Sequence, residues 1–199
     1  MKQGLRVMDS DLHTMEPDGL WERYLDEPFK AAAPRFARAE GGPPNQPTIS
    51  VGALSIGEMT KRPSLRKSGV DLHRRAVARH PHNEVAMARG YDAVTHRGAM
   101  DIEGIDVGVL YGTRGRQVLM HDEFDPALAA ALARAHNNWT HDYCAKDPRR
   151  LKFAAQVAFH DPALAVVEAR PPRYAGRSSA RTRASSTASS RERGQALTS

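Results

Sequence analysis

Residues 5–17 read Leu5-Arg6-Val7-Met8-Asp9-Ser10-Asp11-Leu12-His13-Thr14-Met15-Glu16-Pro17, and here apolar strand residues run directly into residues that ligate metal ions. Leu5, Val7 and Met8 suit a short buried strand, and the polar residues after them fall where such a strand gives way to a loop. In an extended segment side chains alternate between faces, so Asp11 and His13, two apart, point the same way and can grip one ion together. A carboxylate with a neutral imidazole suits zinc or another first-row divalent ion. Glu16 is a weaker neighbour. The same triplet also fits a capped turn or a polar surface loop, and spacing alone leaves both open.

The wider text narrows the choice. Asp9-Ser10-Asp11-Leu12-His13-Thr14-Met15-Glu16-Pro17, followed by Leu20-Trp21-Glu22-Arg23-Tyr24-Leu25, resembles the opening of a known family. That family is the amidohydrolase-related, metal-dependent one that includes aminocarboxymuconate semialdehyde decarboxylase. It begins Asp-x-Asp-x-His-x-x-Glu-Pro and continues in a Leu-Trp helix. A second block, Ala99-Met100-Asp101-Ile102-Glu103-Gly104-Ile105-Asp106-Val107-Gly108-Val109-Leu110-Tyr111, is similar to its passage from a helix into a buried strand. A third runs from Asp125-Pro126-Ala127-Leu128 through Asn137-Asn138-Trp139, Tyr143-Cys144 and Asp147-Pro148-Arg149-Arg150-Leu151-Lys152 to Asp161-Pro162, Ala165 and Glu168. Three blocks in the right order, over residues 5 to 170, are more specific than any one of them.

The resemblance implies an α/β fold, the incomplete N-terminal portion of a TIM-like (β/α)8 barrel, with Asp11 and His13 as metal ligands. Glu16, Trp21 and Tyr111 are then candidates for the metal surroundings or the substrate pocket. The implied activity is that of a metal-dependent hydrolase or a nonoxidative decarboxylase, a carboxy-lyase acting on a small carboxylic acid, with a divalent ion, zinc foremost, as cofactor. The family draws its remaining ligands from later strands, and none of those blocks is present. Asp11 and His13 are therefore expected to be half a site, and the chain by itself to be inactive. The alternative is a non-catalytic fragment that pairs with itself or with a full-length relative.

Length agrees with a partial barrel. The chain has 199 residues, whereas a complete barrel usually takes about 250. No run of 18 or more apolar residues marks a membrane span, the N-terminus lacks the apolar core of a secretory signal, and the lone Cys144 cannot form an internal disulfide. A cytoplasmic protein is the default expectation. The formal charge of +6 is concentrated beyond Pro171, where six arginines face one acid, Glu192. The remainder has no basic bias. No specific nucleic-acid partner is therefore expected, and nonspecific binding by the tail is the only form left.

Along the chain, Asp18 reads as the N-cap of a helix carrying Leu20, Trp21, Tyr24 and Leu25. Residues 27 to 90 read as an irregular insertion, with Gly41-Gly42-Pro43-Pro44 as loop and Ile49, Val51, Leu54 and Ile56 as a short strand or hairpin arm. Lys61, Arg62, Arg66, Lys67, Arg74, Arg75 and Arg79 lack interleaved aromatics and read as a solvated face. His80-Pro81-His82 reads as an exposed turn, and His73, His96, His121 and His160 as structural or surface groups. A helix is expected from Asp92 to Glu103 with Gly104 as its stop, then a strand from Ile105 to Tyr111. Tyr111-Gly112-Thr113-Arg114-Gly115 should form a loop. The family usually has Pro where Gly112 stands, and Tyr where His136 stands.

From Pro126 an apolar stripe through Leu128, Ala131, Leu132, Ala135, Trp139 and Tyr143 predicts the longest helix. His136 and His141, five apart, cannot share an ion on it. Leu151 to Phe159 reads as a buried strand and Asp161-Pro162 as a new helix start. Residues 171–199, rich in Arg, Ser, Ala and Pro, cannot offset the entropy of ordering and should be disordered. Such text is what a GC-rich coding region yields when read out of frame, so the tail is expected to be a frameshift product. Resequencing tests that.

Overall fold

The computed structural model describes residues 3–38, 47–58 and 80–170. The cationic run from Lys61 to Arg79, His73, the Gly41–Pro44 loop and the tail 171–199 lie outside the described residues.

Two three-stranded sheets organise the chain. The first is parallel and ordered β1–β5–β6, with β1 at Met8–Thr14, β5 at Val107–Gly112 and β6 at Leu151–Phe153. The second is antiparallel, β2 (Arg35–Arg38), β3 (Pro47–Val51) and β4 (Leu54–Glu58). Parallel neighbours require crossovers, and helices supply them. The helices are α1 (Leu20–Tyr24), α2 (Pro81–Ala88), α3 (Ala93–Glu103), α4 (Arg114–Leu119), α5 (Pro126–Cys144) and α6 (Pro162–Ala169), the last following β6, with a 3-10 turn at Glu27–Ala32.

Helix ends follow the local chemistry. Asp125 accepts from Ala127 N and Leu128 N at 2.9 and 3.1 Å, with Pro126 already shaped for the first turn. Asp92 caps α3 through Thr95 N at 2.9 Å, and Gly104, at φ +70°, ends it in the left-handed conformation that glycine adopts without a Cβ penalty. Asp161 caps α6 in the same way. Asp18 does not cap α1. Gly19 holds that position, and the Asp18 carboxylate pairs instead with Arg114 at 3.0 Å.

The core lies between the parallel sheet and its helices. Leu110, Trp21 and Leu132 are 0 % exposed, and Leu20, Met100, Val118 and Leu151 join them. Each such side chain contributes about 1.5–3 kcal/mol through burial.

Four further expectations need correction. The first strand starts at Met8 and contains the polar residues, while Leu5 and Met8 are exposed, because β1 is an edge strand of the described sheet. The insertion read as irregular holds a 3-10 turn, the β2–β3–β4 sheet and α2; Gly52, at φ +57°, makes the β3–β4 turn instead of interrupting a strand. His80-Pro81-His82 is a helix start, with His80 Nδ1 accepting from His82 N at 3.1 Å. The strand at Leu151 stops at Phe153, and Phe159 is 85 % exposed. Asn137 of α5 explains that early end. Its amide donates to Gln156 O and accepts from Gln156 N, both at 2.8 Å, so a side chain takes the bonds a neighbouring strand would make.

Candidate metal centre at the carboxyl ends of the parallel strands

The geometry starts from a bulge. Asp9 pairs with Gly108 and Leu12 with Leu110, so β1 spends three residues where β5 spends two. In a regular strand Asp9, Asp11 and His13 would share a face. The extra residue reverses that parity for Asp9, which falls on the Gly108 face. Its carboxylate accepts from Asp11 N at 2.9 Å and so fixes the bulge.

Past the bulge Asp11 and His13 do converge. Asp11 Oδ1 lies 3.7 Å from His13 Nε2, with the side chains 84 % and 46 % exposed. His13 is in register with Tyr111, and their rings are 6.4 Å apart. An ion about 2.0–2.2 Å from each donor can bridge that gap, so the pair fits a divalent cation as two of its ligands. Among the described residues no group of three His, Cys, Asp or Glu side chains is placed to share an ion.

The strand ends are laced together behind this pair. Thr14 Oγ1 donates to Tyr111 O at 3.2 Å and Thr113 Oγ1 donates to Thr14 O at 2.7 Å. Thr113 Oγ1 also lies 3.3 Å from His13 Nδ1. The expected loop is shorter than its sequence suggests, since α4 begins at Arg114.

Glu16 turns away from the pair. Its carboxylate is buried and accepts from Arg114 N and Gly115 N, each at 2.9 Å, and stands 3.1 Å from His136 Nε2. Burial alone would raise its pKa, but the hydrogen bond and charge of His136 and the two N–H groups outweigh that and hold it below the ordinary value. Glu16 thus caps α4 from another part of the chain. Trp21 is 0 % exposed within the core, so it meets helices and no solvent. Of the five candidates, the structure brings Asp11, His13 and Tyr111 together and sets Glu16 and Trp21 elsewhere.

Sequence reasoning missed Thr113 and the role of His136. The one signal for the latter was its standing where the family has Tyr. Gly112 and Gly115 make room for its ring: a Cβ on either would approach the imidazole to 2.4 and 2.3 Å.

Parallel strands joined through helices, with Asp11 and His13 near the carboxyl end of β1, have the layout of part of a β/α barrel. A crystal structure of an amidohydrolase from Mycobacterium avium subsp. paratuberculosis K-10 is similar to this chain with a TM-score of 0.56 and 21% identity, covering 83% of this chain and 46% of that one. The chain therefore spans less than half the length of that relative. No protein-family model and no curated protein matches it. The fold is amidohydrolase-like. No helix among the described residues is long and apolar enough to cross a membrane.

Proposed function

We propose that this chain forms the first part of a metal-dependent amidohydrolase-like site of the aminocarboxymuconate semialdehyde decarboxylase kind, with Asp11 and His13 as two ligands of a divalent ion, zinc foremost. The observation that carries this is the convergence of Asp11 Oδ1 and His13 Nε2 at the carboxyl end of β1. The substrate class is a small carboxylic acid, and the reaction hydrolysis or nonoxidative decarboxylation. A divalent ion there supplies Lewis-acid polarisation of a substrate oxygen or of water. Tyr111, 37 % exposed beside His13, offers a phenol to orient the substrate. Two protein ligands fix a water poorly, since catalytic zinc sites usually have three. The isolated chain therefore binds its ion weakly and does not turn over.

Equilibrium dialysis against zinc, cobalt and manganese tests this, alongside turnover of arylcarboxylates. One weakly held ion, lost in Asp11→Asn and in His13→Gln, with no turnover, supports the reading. No ion bound at millimolar concentration sinks it. One equimolar, tightly held zinc ion would show the site to be complete instead.

A second reading, pairing with another copy or a longer relative, is favoured by exposed Met8, Phe159, Val166 and Val167. Sedimentation at rising concentration tests it: a monomer throughout removes self-pairing.

A further inference from the structure

We infer that Thr113 sets the tautomer of His13, holding the imidazole proton on Nδ1 and so keeping the Nε2 lone pair free beside Asp11. The ligand role of that lone pair rests on the function proposed above; the tautomer itself does not.

A threonine hydroxyl has a single proton. A carbonyl can only accept, and Thr113 Oγ1 lies 2.7 Å from Thr14 O, so the proton must point there. Towards His13 the same oxygen offers only a lone pair, at 3.3 Å from Nδ1. That contact is a hydrogen bond only when Nδ1 carries the hydrogen. Nε2 is then left bare, 3.7 Å from Asp11 Oδ1. A histidine exposed to water prefers its proton on Nε2, and the neighbouring carboxylate pulls the same way. Thr113 opposes both.

Thr113 is available for this because it is relieved of another duty. It occupies the N-cap position of α4, where a threonine hydroxyl ordinarily accepts from the helix's first N–H groups, yet it makes no such bond. Glu16 takes the N–H groups of Arg114 and Gly115 instead. The buried carboxylate thus frees the hydroxyl to bridge β1 and β5 behind His13. An imidazole whose far nitrogen is held in this way is the usual arrangement of a metal-binding histidine.

The test is long-range proton–nitrogen NMR on the full chain, metal-free and at pH 8, with nitrogen-15 in the histidines and His13 assigned through His13→Gln. Wild type should show His13 protonated at Nδ1. Thr113→Ser should keep that pattern, and Thr113→Val should shift it to Nε2. Zinc affinity should fall about 10- to 100-fold in Thr113→Val and recover in Thr113→Ser. Wild type with its proton on Nε2 overturns the inference, and so does an unchanged tautomer in a folded Thr113→Val. If the tautomer responds as stated but zinc binds to none of the three proteins, the inference stands and the metal reading falls.

Discussion

Glu16 Oε1 and His136 Nε2 lie 3.1 Å apart with both side chains 1 % exposed, joining the end of β1 to the middle of α5. Replacing Glu16 by Ala leaves the imidazole and two helix N–H groups buried without their acceptor. Breaking a buried pair of this kind costs about 3–5 kcal/mol. Urea unfolding of Glu16→Ala at pH 7 should show a loss of that order, or no folded protein. A cost under about 1 kcal/mol, the range of an exposed pair, would contradict the burial.

The same carboxylate predicts acid sensitivity. Its folded-state pKa lies below the ordinary value of 4.5, so the unfolded chain takes up the proton first as pH falls. The stability it contributes is complete above 4.5 and is lost as pH drops through the lowered folded value. Urea midpoints measured from pH 6 to pH 3 should fall less steeply in Glu16→Gln than in wild type. Parallel curves would refute the assignment.

Gly115 should not tolerate a side chain. A Cβ there would sit 2.3 Å from His136 Cδ2 and 3.2 Å from Glu16 Oε1, and neither group has solvent to retreat into. Overpacking a filled core costs about 1–3 kcal/mol. Gly115→Ala should lower the thermal midpoint, and by less when it is made in a His136→Ala background than in wild type. An equal drop on adding Gly115→Ala to wild type and to His136→Ala would show that the clash is not with the ring.

Asn137 substitutes for a strand. Its side chain holds both backbone groups of Gln156 and donates to Glu168 Oε1 at 3.0 Å. Asn137→Ala strands the two part-buried backbone groups of Gln156, at up to about 1–3 kcal/mol for each polar group left unsatisfied. Hydrogen exchange at Gln156 should accelerate well before global unfolding; unchanged protection there would disprove the clasp.

Cys144 should be inert. Burial pushes its thiol up to about 12, leaving almost no thiolate at neutral pH. In the native protein a disulfide reagent should react with it only after denaturation. Rapid labelling at pH 7.5 would count against that burial.

Much of the helical layer was legible in the sequence, because its signals are local. Asp92, Asp125 and Asp161 each precede a run that can bond back to them, and the stripe from Leu128 to Tyr143 buries itself on any flat apolar partner. Alternation through Val107, Val109 and Tyr111 likewise marks a strand without knowledge of its neighbours. The Asp11–His13 pair was found by the same two-residue logic. Its convergence follows from the extended backbone of β1 past the bulge.

Tertiary structure decided what side chains distant in sequence do to one another. Whether Glu16 faces an ion or caps a helix turns on Gly115 and His136, about a hundred residues away, and no period or spacing encodes that approach. The bulge that parts Asp9 from Asp11, the early end of β6 under Asn137 and the freeing of the Thr113 hydroxyl have the same origin. A backbone or hydroxyl group has few bonding directions, and which one it uses is fixed only when the fold brings a competing partner within about 3 Å.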